Sequence, residues 1–267
     1  MKTDWLNHFN LPGKPVFLES MAWPDLEGTR EDVLLLPIGA TEQHGPHLPV
    51  NTDTVIANAA CAYASAATGA PVLPVISYAV SIGHTEKWPG TFALFHETLM
   101  QTVREIAAWA VASGWKRLVL VNAHCGNDAA LRCAVDRLRF DFVNRLLIAT
   151  RNTWQLTAEI AGHFTKDASD WHANEAETSL MLFIAPEAVR EERIAGAGDR
   201  DRTANCVFPH MVANTSVNGV TGLPSDATHG KGASLLREIG ESLVALIESA
   251  RTEVPPLEWQ RTGLTFS

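Results

Sequence analysis

Apolar positions along the 267-residue chain fall into short unbroken runs separated by longer stretches of helical period. Asp32–Ile38 (DVLLLPI) is one such run, the pattern of a strand buried on both faces. Asp53–Ala67 is Ala-rich and reads as a helix. Pro71–Ile76 reads as a second short strand, and Phe95–Ser113 as a helix stopped by Gly114. Lys116–Asn122 (KRLVLVN) is the clearest strand. A helix over Asn127–Phe140 and a strand over Arg145–Thr150 follow. Two more helices cover Glu175–Ile184 and Ala233–Ala250, the second with Gly230 and Gly232 ahead of it. Strands alternating with helices predict an α/β fold, a central, mostly parallel sheet flanked by helices. Arg193–Gly230 is rich in Gly, Asn, Thr, Ser and Asp and has few periodic hydrophobics. It is expected to be a long loop or small excursion near the site or an interface.

Composition narrows the class. With 46% hydrophobic residues the chain can bury a sizeable core, and residues 1–267 are read as a single α/β domain. A net charge of −9 with no basic cluster argues against nucleic acid or an anionic membrane as partner and leaves a small molecule. No apolar run reaches about 18 residues, so no membrane span is predicted. The first residues, Met1–Trp5, lack an apolar signal core. Cys61, Cys125, Cys133 and Cys206 form no CxxC pair, which predicts reduced thiols in a cytoplasmic protein. Cys125 is expected to be a small packing residue.

In parallel sheets, ligands bind beyond the carboxyl ends of the strands, and the chemistry-bearing residues follow the strand runs. Gly39–Asp53 reads GATEQHGPHLPVNTD, with Gly45, Pro46 and Pro49 fixing the backbone. Glu42 and His44 are two apart, so in an extended stretch both reach one centre, and Asp53 returns from the start of the next helix. His124, in VNAHCGN, lies at the end of the best strand, and Asn127 is placed to cap the following helix. DWHANEAETS brings His172, Glu175 and Glu177 to a helix start. Either carboxylate can complete a metal shell, with His172 free for proton transfer and Glu175 a catalytic candidate beside it. In SIGHTEKWPGT, His84 and Trp88 are candidates for lining a substrate pocket, as are Trp154 and Trp171 farther on. Nitrogen and oxygen donors without thiolate fit zinc, manganese or iron.

At these residues the sequence resembles the creatininase (creatinine amidohydrolase) family. The stretches LPIGATEQHGPHLPVNTD, WPGTF, LVNAHCGN and HANEAETSLML carry the likeness, in order, over about residues 15 to 250. The resemblance implies a homo-oligomer, often a hexamer, and a site for two divalent metal ions, zinc foremost, with manganese or iron as alternatives. It implies Glu42 and His44 as first-loop ligands, Asp53 as the carboxylate between both metals, His124 and Glu177 as further ligands, and His172 as the proton-transfer histidine. Members that hydrolyse creatinine carry a carboxylate two residues after the His124 position and a tryptophan four before the His172 position. Here those places are Gly126 and Ala168, with Trp171 and Trp154 as the available aromatic substitutes. The implied activity is hydrolysis of a C–N bond in a small cyclic amide or formamide through a metal-activated water. The alternatives are cleavage of a ring C–C bond in a keto-cyclitol, a short-peptide peptidase, and a non-catalytic metal-binding protein.

Overall fold

The strands form one sheet: β1 (Val16–Phe17), β2 (Leu34–Ile38), β3 (Pro71–Val72), β4 (Arg117–Asn122) and β5 (Leu147–Asn152), in the order β1-β3-β2-β4-β5. The computed structural model describes residues 3–84, 86–257 and 259, and the remainder of the expected 1–267 domain lies outside those ranges. Every strand pairing among the described residues is parallel. β2 and β4 sit at the centre in continuous register, from Leu34↔Leu118 to Ile38↔Asn122.

The helices are α1 (Thr52–Thr68), α2 (His96–Ala112), α3 (Asp128–Asp141), α4 (Ala158–Thr165), α5 (Glu175–Ile184), α6 (Glu191–Ile194), α7 (Val212–Thr215) and α8 (His229–Thr252). Side chains on a strand alternate between faces, so the unbroken apolar runs feed two cores. Leu34, Leu36, Ile38, Leu118, Leu120 and Ile148 pack with α2 and α3. Val33, Leu35, Val119 and Val121 pack with α1, α5 and α8 on the other face. α8 crosses α1 and α5 closely because of two glycines. A Cβ on Gly232 would lie 1.8 Å from the Ser179 carbonyl oxygen, and one on Gly240 would lie 2.1 Å from the Tyr63 ring.

The topology opens a crevice where the motifs fall. β2 leads through α1 to β3 on one side, while its neighbour β4 leads through α3 to β5 on the other. The chain therefore leaves two paired strand ends in opposite directions, the arrangement that leaves room for a ligand.

Some elements differ from expectation. β3 stops at Val72, two residues before Pro74, which has no N–H to give a ladder; Ile76 then makes a single bridge to Ile38. α8 starts at His229, with the Thr228 side chain accepting from the Lys231 N–H, so Gly230 and Gly232 lie inside the helix. α4 was not foreseen; it buries only Ile160 and Phe164, too short an apolar stripe to stand out. The 193–230 region is an excursion closed on itself by a bridge from Gly222 to Asp199 and stitched back by one from Thr221 to His172. Among the described residues no helix is long and apolar enough to cross a membrane.

Candidate metal centre

The crevice gathers Glu42 and His44 from the loop after β2, Asp53 from the first turn of α1, His124 from the end of β4, and Glu177 from the first turn of α5. All are buried. Asp53 stands in the middle. His44 Nε2 is 3.2 Å from its Oδ1, and His124 Nδ1 is 3.2 Å from its Oδ2. Glu42 Oε1 is 3.3 Å from His124 Nδ1, and Glu177 Oε1 is 3.6 Å from His44 Nε2. Donor atoms of Glu42, Asp53 and His124 lie within 4.8 Å of one another, as do those of His44, Asp53 and Glu177. Asp53 thus belongs to both groups.

Backbone carbonyls fix the histidine tautomers. His44 Nδ1–H donates to the Glu42 carbonyl at 3.2 Å and His124 Nε2–H to that of Val80 at 2.7 Å. His172 Nε2–H donates to the Gln43 carbonyl at 2.9 Å. In each ring the second nitrogen is left facing the carboxylates, the usual outer support of a metal-binding imidazole. Ala173, next to His172, holds a left-handed φ of 51°, costing about 1–2 kcal/mol. His172 is also tied to Thr221 by a pair of backbone hydrogen bonds.

The donor set fits a divalent cation. Both Glu42 carboxylate oxygens, His44 Nε2 and Asp53 Oδ2 are buried without a hydrogen-bond partner of proper geometry. Buried polar atoms are rarely left so, and buried carboxylates need a cation. With no metal, protons take that place. Burial opposes charge on His44, but Asp53 and Glu177 overcome it and raise the imidazole well above its ordinary value. His124 is raised in the same way by Glu42 and Asp53. Despite burial, Asp53 is held below the carboxylate range by His44 and His124, and Glu42 by His124 and His84. His172 is the exception: burial, and then His44, push it well below its ordinary value, so it is a neutral base.

A cavity of about 820 Å³ opens onto this cluster, walled by His84, Trp171, His172, Cys125 and the Pro209–Val212 stretch of the excursion. His84 is pushed down to about 3, by burial first. Its Nδ1 accepts from the Gln43 side-chain amide at 3.0 Å. That amide also donates to the Gly219 carbonyl at 3.1 Å, so Gln43 couples wall, loop and excursion. Neither Gln43 nor the 209–212 wall was anticipated. Gln43 sits between two motif residues, the one signal available for it; the wall depends on the path of a long excursion.

Several expectations are corrected. Glu175, expected as a catalytic carboxylate, faces away, pairing with Lys231 Nζ at 2.5 Å and Lys166 Nζ at 2.9 Å. Two residues apart on a helix point to different sides, so Glu175 and Glu177 cannot share one centre. Trp88 does not line the cavity and lies under Lys87. Trp154 also lies outside the lining and packs edge-on behind Trp171, with ring centroids 6.1 Å apart. Cys125 is on the cavity wall, its thiol raised by burial and then by Glu177, Asp53 and Glu42. Asn127 sits at the helix N-cap without a capping bond; its side chain joins Val80 N–H, the Gly39 carbonyl and Asn122. His47 is buried against Thr178, apart from the cluster.

A creatinine amidohydrolase (creatininase) family model matches residues 19–247. The chain belongs to the creatininase family. It is 28% identical to the creatinine amidohydrolase of Pseudomonas putida over 91% of this chain and 99% of that protein. It is 34% identical to the mycofactocin precursor peptide peptidase of Mycobacterium ulcerans over 80% and 84% of the two chains. A solved mutant creatininase of Zn-Zn type superposes with a TM-score of 0.77 at 27% identity, covering 90% of this chain and all of that one. The α/β fold and hydrolase character are those of this creatininase family. At Gly126 the difference from the creatinine-hydrolysing pattern has a steric basis. A Cβ there would lie 2.3 Å from the Val80 carbonyl oxygen and 2.5 Å from His124 Nε2, so the position cannot take a side chain while that hydrogen bond is kept. Ala168 is buried and puts no ring in the cavity.

Proposed function

We propose that this chain is a two-metal hydrolase that opens an amide-type C–N bond in a small substrate, a cyclic amide or formamide. The supporting observation is the place of Asp53 in two adjoining donor groups. Glu42, His124 and Asp53 would hold one ion; His44, Glu177 and Asp53 the other, with zinc the leading choice. Two divalent ions held there would supply an acidified water as nucleophile and a Lewis acid for the carbonyl oxygen. His172, its tautomer set by the Gln43 carbonyl, presents Nδ1 toward the cluster, 3.7 Å from Glu42 Oε1. From there it takes the nucleophile's proton at Nδ1 and passes it to the leaving nitrogen. His84 and Trp171 hold the substrate's flanks.

Gly126 and Ala168 argue that creatinine itself is not the substrate. A short peptide is the second reading, favoured by a cavity of about 820 Å³, larger than a single small ring fills. The first test is elemental analysis of protein purified without a metal-affinity tag. About two zinc, manganese or iron equivalents per chain are expected. Turnover is then compared on cyclic amides, formamides and short peptides. A chain that neither carries nor takes up metal ends the proposal.

A further inference from the structure

The charges on the cavity wall point to the substrate class. Asp170 lines the outer part of the cavity beside Trp171, and its carboxylate is exposed with no hydrogen-bond or ion-pair partner among the described residues. Its backbone is clamped. The neighbouring Asp201 accepts from the Ser169 N–H at 3.0 Å and the Asp170 N–H at 3.3 Å. Asp201 is itself satisfied by the Thr203 N–H at 2.7 Å and the Thr203 hydroxyl at 2.6 Å. Trp171 is held by Phe164, with centroids 4.7 Å apart, so its ring is a fixed surface. An unpaired carboxylate is thus kept next to a second carboxylate and a rigid aromatic face. The described lining of the cavity contains no lysine and no arginine. The only side chains of that described lining able to carry positive charge are imidazoles, His96 and His210 among them, whereas the Asp170 carboxylate and the Trp171 indole together suit a cation.

We infer that Asp170, with Trp171, is the specificity-determining element of this site, and that the substrate is an amide carrying a cationic nitrogen, a protonated amine or an amidinium. The inference rests on the proposed hydrolase reading for where the scissile bond lies, and it adds the charge of the group at the other end. It makes anionic substrates poor ones.

Benzamidinium and benzamide have nearly the same shape and differ in charge, so they serve as probes. Their affinities for the metal-loaded protein are measured by calorimetry. Benzamidinium is expected to bind about tenfold tighter, the scale for a charge-assisted contact discounted for partial exposure. Asp170→Asn is expected to bring benzamidinium down to the benzamide affinity while leaving benzamide binding and metal content unchanged. Equal binding, no binding of either probe, or a preference that survives Asp170→Asn overturns the inference. The two readings fail separately. A binding preference lost in Asp170→Asn without turnover of any amide would remove the hydrolase and keep the cation site. Turnover without the preference would do the reverse.

Discussion

Asp53 and His172 are both buried beside the same carboxylates, yet their removal should have different consequences. Asp53 offers one oxygen to each donor group, so Asp53→Ala is expected to empty both positions. Elemental analysis should fall from about two equivalents to near none, with activity lost in parallel. Retention of two ions in that variant would dismiss the shared-ligand role. His172 also has a geometric claim to be a ligand, since its donor atom lies within 4.8 Å of those of Glu42 and His44. It belongs to neither of the two donor groups that share Asp53, which favours proton transfer instead. His172→Gln should therefore keep its metal while kcat falls about 10²–10⁴-fold. Loss of an ion in that variant would make His172 a ligand and leave the proton carrier unassigned.

Among the elements, α8 illustrates how close packing is set by single positions. Gly232 sits against the Ser179 backbone oxygen, whereas nothing lies within 4 Å of a Cβ placed on Gly162 of α4. Gly232→Ala is expected to destabilise by about 1–3 kcal/mol, because α8 must move off α5. Gly162→Ala should stabilise by about 0.5–1 kcal/mol through helix propensity alone. Thermal melts of the two variants should shift in opposite directions, and shifts of the same sign would discredit the packing argument. The same positions show what the sequence reveals. The helical period of α8 is readable, but its start is not, because Gly230 and Gly232 read as a boundary and lie inside the helix. Strands β2 and β4 stood out because both faces are buried and the apolar runs are unbroken. The cluster of buried carboxylates and imidazoles was legible because Glu42, His44 and His124 follow strand ends, while Asp53 and Glu177 lie in first helical turns, all within compact motifs. The carbonyls of Val80 and Gln43 that orient its histidines were not, since a backbone acceptor has no residue-type signature. Asp170 has no signature of its own in the sequence, because its lack of a partner exists only once the cavity walls are assembled.

In the molecule as a whole, the two apolar cores are built on either face of the sheet, and the site lies beyond the strand ends, outside both. Metal removal should therefore leave the fold intact and change how its stability depends on pH. In the metal-free protein the raised His44 and His124 stay protonated and offset the buried carboxylates. A histidine raised above its unfolded value, about 6.5, contributes stability that is complete below that pH and is lost as pH rises through the folded value. His47, pushed down to about 4, and His84, pushed down to about 3, both by burial first, act on the other limb. Their neutral forms are favoured by folding, so stability is lost as pH falls from about 6.5 toward those values. The chelated protein should thus be most stable near pH 6.5, with a melting temperature that declines in both directions. Bound ions need His44 and His124 deprotonated, so metal affinity should rise with pH and binding at neutral pH should release protons. The metal-loaded protein, its carboxylates neutralised by ions in place of protons, should lose the alkaline decline and keep the acid one. Melting curves at pH 5 to 9, with and without chelator, test this directly. Parallel curves would mean that the buried histidines are not where the ions bind, and collapse of the fold on chelation would mark the metal as structural.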